Sequence, residues 1–165
     1  MALTTAEKLK ALLGRRPREP FEVVLHDEDG GPLVIRNGPV FDDGTPMPTR
    51  YWLVGRQAKL AVDRLEASGG VSAASAAVNP VELQLAHERY AAERDASIPV
   101  GWNGPRPFGG VGGTRRGVKC LHAHYAWFLV GGDDPVGRWV AAQLAGDSGS
   151  SPGAGTDEGV RLARG

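Results

Sequence analysis

Every stretch with strand chemistry in this chain lies before residue 55, and the patterned stretches after it read as helix. That order constrains the fold more than any other feature. Strands gathered in one part of a chain pair with each other antiparallel, and the helices that follow cover the sheet. The expectation is α+β: a small, mostly antiparallel sheet from the N-terminal half, packed with roughly three to five helices.

Local signals place the elements. Thr4 and Glu7 have capping-box spacing ahead of the apolar stripe Leu9, Leu12 and Leu13, which predicts a helix from about Thr5 to Leu13 stopping at Gly14. Arg15 to Pro20 is a basic linker punctuated by proline. Phe21 to His26 and Pro32 to Arg36 flank an acidic turn, Asp27 to Gly31, and read as a β-hairpin. Val40 and Phe41 are expected to extend the sheet, and Arg50 to Val54 to add a strand. Gln57 to Glu66 reads as a helix ended by Gly69 and Gly70. Asn79, Pro80 and Glu82 supply a cap, a first-turn proline and an acidic residue for a helix to about Asp95, with Val81, Leu85 and Tyr90 inward. Ile98 to Gly113 is a Gly/Pro-rich loop carrying Trp102 and Phe108. Val118 to Val130 reads as a helix closed by Gly131 and Gly132, and Asp134-Pro135 starts a last one over Val136 to Leu144. No internal repeat is present. The division expected is one domain over 1–146 and a disordered Gly/Ser/Pro-rich tail over 147–165.

Composition excludes several function classes. With 19 Lys+Arg against 19 Asp+Glu, no bulk charge favours nucleic acid or a membrane surface. The single cysteine, Cys120, rules out an internal disulfide and any zinc site built on paired cysteines. No run approaches the ~20 apolar residues that cross a bilayer, and the first residues lack a signal-peptide pattern. A soluble cytosolic protein is the expectation.

Local charge is another matter. Between Ala96 and Gly132 there is no Asp or Glu, yet Arg106, Arg115, Arg116 and Lys119 all fall there. The last three sit where Gly109-Gly110-Val111-Gly112-Gly113 leads into a helix. Such a junction offers backbone N–H groups and the positive end of a helix dipole to an anion. Arg115, Arg116, Lys119, Gly112 and Gly113 are therefore candidate ligands for a small phosphorylated or carboxylated molecule. The segment matches neither a Walker A loop nor a dinucleotide fingerprint. A surface loop with solvated arginines is the plainer reading, and both stay open.

The second constellation is Lys119-Cys120-Leu121-His122-Ala123-His124. On a helical wheel Cys120 and His124 share a face, while His122 points roughly 160° from His124, within the stripe of Val118, Leu121, Tyr125, Phe128 and Leu129. Cys120 and His124 are thus candidates for catalysis, as nucleophile and base favoured by Lys119 and Arg116. They are also candidates for a divalent metal such as zinc, with a further ligand from His26, His87, Glu88 or an Asp. Packing alone also accounts for both. Asp42, Asp43, Thr45, Thr49 and Arg50 crowd a turn that favours such residues anyway. Asn37 and Asn79 read as a turn residue and a cap.

Several strings, in order, resemble an uncharacterised bacterial family, domain of unknown function 501, found mainly in actinobacteria. They are Phe21 to Val40, Gly44-Thr45-Pro46-Met47-Pro48-Thr49-Arg50-Tyr51-Trp52-Leu53, Phe108 to His124, and Gly131 to Gly137. The resemblance spans about residues 5 to 143 and carries no activity, substrate or cofactor. Genes of that family often lie beside a septum-formation initiator and an exopolyphosphatase-like gene, which implies by analogy a link to cell division or phosphate metabolism. Two function classes follow: a protein that binds or acts on a small anion at the Gly109–His124 junction, or a non-catalytic module that docks a protein partner through the acidic hairpin tip or the basic loop.

Overall fold

The computed structural model describes residues 1–148. Helix α1 (Thr5–Leu13) is closed at its start by the reciprocal Thr4–Glu7 capping box and at its end by Gly14 in the left-handed conformation. Strands β1 (Phe21–His26), β2 (Pro32–Asn37) and β3 (Tyr51–Leu53) form an antiparallel sheet in the order β1-β2-β3. The β1–β2 register slips between Val23 and Leu25 and again between Leu25 and His26. Asp27 Oδ1 accepts the backbone N–H groups of Asp29 and Gly31 and shapes the hairpin turn. Helices α2 (Arg56–Ala67), α3 (Gly70–Ala77), α4 (Pro80–Asp95), α5 (Leu121–Leu129) and α6 (Pro135–Ser148) follow, with a single 3₁₀ turn at Val111–Gly113.

Adjacent residues of β2 explain the layering. Side chains alternate across a strand, so Val34 and Ile35 face opposite ways. Ile35 packs with Leu9 and Val54 beneath α1, whereas Val34 joins Tyr51, Leu53, Val62, Leu83, Tyr90, Leu121, Trp127 and Val140 in the larger core. The sheet therefore lies between α1 and a layer of five helices.

Four expectations change. Val40 and Phe41 do not extend the sheet; Val40 makes only an isolated bridge to Pro46. Gly69-Gly70 does end α2, but an unexpected helix, α3, follows at once, because Gly69 takes φ +88° and turns the corner, and Gly70 lies where a Cβ would sit 2.5 Å from the Leu65 carbonyl oxygen. On α4, Val81 (67%) and Leu85 (46%) are exposed, and the buried stripe is Leu83, Ala86, His87, Tyr90 and Arg94. Two members of that stripe are polar, which hides its helical period from a hydropathy reading. Lastly, α5 starts at Leu121 rather than Val118, since Gly117 (φ +67°) and the extended Cys120 interrupt the run. The tail expected over 147–165 lies outside the described residues from 149 onward; Asp147 and Ser148 continue α6. Among the described residues no helix is long and apolar enough to cross a membrane.

Candidate functional site

The glycine loop is ordered from below by α4. The buried Arg94 guanidinium donates to the carbonyls of Gly109 (2.9 Å) and Pro48 (3.1 Å). His87 Nδ1 accepts the Val111 N–H at 3.0 Å, which leaves Nε2–H to donate to the Gly117 carbonyl at 2.8 Å. That pattern uses the neutral ring, and burial lowers the His87 pKa to match. A Cβ on Gly110 would sit 2.6 Å from that of His87, and Gly109, Gly112 and Gly113 all take positive φ. Backbone conformation and close packing therefore account for the glycines without a ligand.

The cations expected to converge divide between two cavities. Arg115 and Arg116 line one of about 460 Å³, but so do Glu88 and Asp95. Arg115 lies over the exposed Phe108 ring, 4.0 Å from its centre. Lys119 and Gly112 line another, of about 450 Å³, together with Cys120. Gly113 packs its backbone toward Pro48. Nor is the head of α5 free for an anion, because the Leu121 N–H already donates to Glu66 Oε1 at 2.7 Å.

The Lys119 cavity lies between the end of α1, strand β3 and the head of α5. Leu13, Trp52, Leu53 and Ala123 give it apolar walls, and Arg15, Lys59 and Lys119 are the charged residues that line it, along with His122. Arg15 rests over Trp52 at 5.5 Å, and Lys59 pairs with Asp63 at 3.2 Å. Lys119 makes no hydrogen bond or ion pair among the described residues. No carboxylate lines this cavity.

His122 is the hub beside it. Its Nε2 meets Asp63 Oδ1 at 2.7 Å, its Nδ1 lies 3.3 Å from Glu66 Oε1, and Cys120 lines the same cavity. The Cys120 contact, then Glu66 and Asp63, hold the His122 pKa above its ordinary value against the opposing effect of burial. Cys120, half-buried and in extended conformation at the N-cap of α5, lines the cavity with His122, whereas His124 does not.

His124 is turned into the core. Its Nδ1 bonds Asp134 Oδ2 at 2.6 Å with neither side chain exposed, its Nε2 has no partner, and its ring packs edge-on against His87 at 5.8 Å. The wheel that joined Cys120 to His124 fails because Cys120 is not helical. Among the described residues no three His, Cys, Asp or Glu side chains are grouped to hold a metal ion. His87, one suggested further ligand, has both ring nitrogens engaged.

The remaining polar candidates have structural roles. Arg18 pairs with Asp43 and donates to Thr45, and the Asp43 pKa falls to about 2, chiefly through the Thr45 backbone N–H. Asn37 Nδ2 donates to the Thr49 carbonyl, Arg50 reaches Glu93 and Ser97, and Asn79 caps α4. The residues the sequence leaves unmarked are Asp63, Glu66, Lys59, Arg15 and the partnered His122. The one signal available is that Asp63 and Glu66, three apart, share a face of α2.

A family described as "Protein of unknown function (DUF501)" matches residues 23–142. No curated protein and no solved structure matches the chain.

Proposed function

The chain belongs to the DUF501 family, and from that premise we propose that it binds a small phosphorylated or carboxylated ligand between β3 and the head of α5. One observation carries the reading: the exposed Lys119, unpaired among the described residues, lines a cavity with apolar walls that no carboxylate lines. Arg15 adds positive charge at the same cavity, while Lys59 is already paired with Asp63. Lys119 is itself exposed, so its attraction for an anion is screened by salt, and the apolar walls supply the remaining contact. Gly112, whose Cβ would lie 3.7 Å from that of Lys119, leaves room beside the ammonium stem.

The test is a thermal-shift and calorimetric series with inorganic phosphate, pyrophosphate, succinate and citrate. Stabilisation that falls with salt and disappears in Lys119→Ala supports the reading. No stabilisation by any of these in the millimolar range rejects it.

A second reading rests on Phe108, 53% exposed with Arg115 stacked on it and Arg116 adjacent. An aromatic–arginine pair is what a protein interface favours at its centre. It fits a docking module, with the link to cell division or phosphate metabolism resting on the family resemblance alone. Loss of partner capture in Phe108→Ala, with the anion response intact, favours this reading.

A further inference from the structure

We propose that the cavity beside β3 receives the C-terminal end of an extended polypeptide, which pairs with the free edge of β3 and sets its α-carboxylate against Lys119. This names a ligand class for the anion-binding reading above and rests on that reading for the carboxylate; the strand pairing stands on the geometry of the sheet.

β3 is a terminal strand, with β2 on one side only. The ladder shows which of its backbone groups are left over. The Asn37 N–H donates to the Arg50 carbonyl, and the Val54 N–H to the Leu33 carbonyl. Bonded pairs alternate along an antiparallel ladder, so Ile35 and Trp52 bond each other, while Val34/Leu53 and Arg36/Tyr51 do not. The N–H and carbonyl groups of Tyr51 and Leu53 therefore point away from β2. The Tyr51 N–H agrees, since it donates to the Tyr90 hydroxyl. The Tyr51 carbonyl and both backbone groups of Leu53 have no hydrogen-bond partner among the described residues. Both residues are buried, a setting in which backbone groups are rarely left unmatched.

The cavity opens on these groups. Trp52 packs with Ile35 on the α1 side of the sheet, whereas Tyr51 and Leu53 pack with Val34 on the other. All three line the one cavity of about 450 Å³, with Leu13 and Arg15 from the first side and Lys119 and Ala123 from the second. β2 fills the inner side of β3, so the cavity reaches both faces around the outer edge.

That edge suits a chain end. In an antiparallel strand laid along it, the third-last residue faces Leu53 and exchanges both backbone bonds with it. The last residue donates its N–H to the Tyr51 carbonyl. Pairing stops there, because Tyr90 already holds the Tyr51 N–H. A terminal carboxylate then stands where the next peptide group would be, and Lys119 is the unpaired cation of the cavity. Side chains alternate, so the penultimate one lies beside Trp52 and Leu13 and suits an apolar residue. Main-chain pairing of this kind gives affinity, and the flanking walls give specificity.

The test uses a fluorescein-labelled peptide, GSGVLA with a free C-terminus, and the full chain, read by fluorescence anisotropy. Saturable binding and slower hydrogen exchange at the Leu53 amide are expected. Replacing the carboxylate by an amide, or Lys119 by alanine, should each weaken binding about three- to fivefold. The two changes together should cost no more than one alone, because they break a single ion pair. N-methylation of the last or third-last residue should weaken binding about tenfold, and of the penultimate residue much less. No binding at millimolar peptide, equal losses at all three N-methyl positions, or unchanged exchange at Leu53 overturns the proposal. So does binding that Lys119→Ala leaves unchanged or tightens, which would make the lysine a guard of the edge. If the peptide fails while phosphate or succinate still stabilises the protein, strand pairing falls and the anion-binding reading survives. If neither the peptide nor any small anion binds, both fall.

Discussion

Asp134 joins two helices through its two carboxylate oxygens: Oδ2 lies 2.6 Å from His124 Nδ1 on α5, and Oδ1 accepts the Val136 N–H at 2.9 Å at the start of α6. Both side chains are fully buried. Removing one partner of such a pair strands the other without solvent. Asp134→Ala should therefore lower the unfolding free energy by about 3–5 kcal/mol, measured by urea denaturation. A loss within experimental error of zero would show that the pair contributes nothing net.

Tyr90 has a comparable role at the sheet. Its hydroxyl accepts the N–H groups of Arg50 (2.6 Å) and Tyr51 (3.3 Å), pinning the start of β3 to α4. Burial raises its pKa strongly, so it stays a neutral phenol throughout the working range. Tyr90→Phe keeps the ring and its edge contact with Trp127 but leaves two N–H groups unpaired. The expected cost is about 1–3 kcal/mol, with faster hydrogen exchange at Arg50 and Tyr51. An unchanged exchange rate there would refute the pinning.

The two partnered histidines give opposite pH dependences. The folded pKa of His122 lies above 6.5, so its contribution is fully present below 6.5 and is lost as pH rises through the raised folded value. The folded pKa of His87 lies below 6.5, so its contribution is present above 6.5 and is lost as pH falls through the lowered value. Melting curves should thus show stability falling on the acid side in wild type but less so in His87→Gln. His122→Gln should remove part of the decline on the alkaline side. Profiles that coincide with wild type in both variants would defeat this assignment.

Glycine-to-alanine substitutions within α6 should differ in sign. In an open helix position alanine is better by about 0.5–1 kcal/mol. Gly146 has nothing within 4 Å of the added Cβ, so Gly146→Ala should stabilise, by less than this near the helix end. At Gly137 that Cβ would lie 2.4 Å from the Phe128 Cβ and 2.9 Å from the His124 carbonyl oxygen. Gly137→Ala should therefore destabilise by about 1–3 kcal/mol. Melting temperatures shifted the same way in both variants would count against close α5–α6 packing.

What the sequence makes legible here is local. The Thr4–Glu7 box, the Asn79-Pro80 start and the turn at Asp27 rest on groups within four residues of each other, and each forms as the residues indicate. The candidate site is legible as a segment, because the absence of acids around Lys119 and Cys120 is contiguous in the chain. Its partners are not. Asp63 meets His122 across 59 residues and Glu66 meets Leu121 across 55, and packing of α2 on α5 alone brings them together. A left-handed turn at Gly117 then moves the helix start by one turn, which takes Cys120 off the face assigned to His124.

The two register slips between β1 and β2 carry a consequence for self-association. As a terminal strand of the sheet, β1 would offer another chain a straight row of backbone groups on which to build fibrous aggregates. The shifts at Val23/Leu25 and Leu25/His26, with the extra residue first on β1 and then on β2, make the strand irregular and interrupt that row. Glu22, paired with Arg36 on the neighbouring strand, adds a charge that an intruding strand would have to accommodate. The irregular hairpin thereby makes the β1 edge a poor template for a strand from a neighbouring molecule.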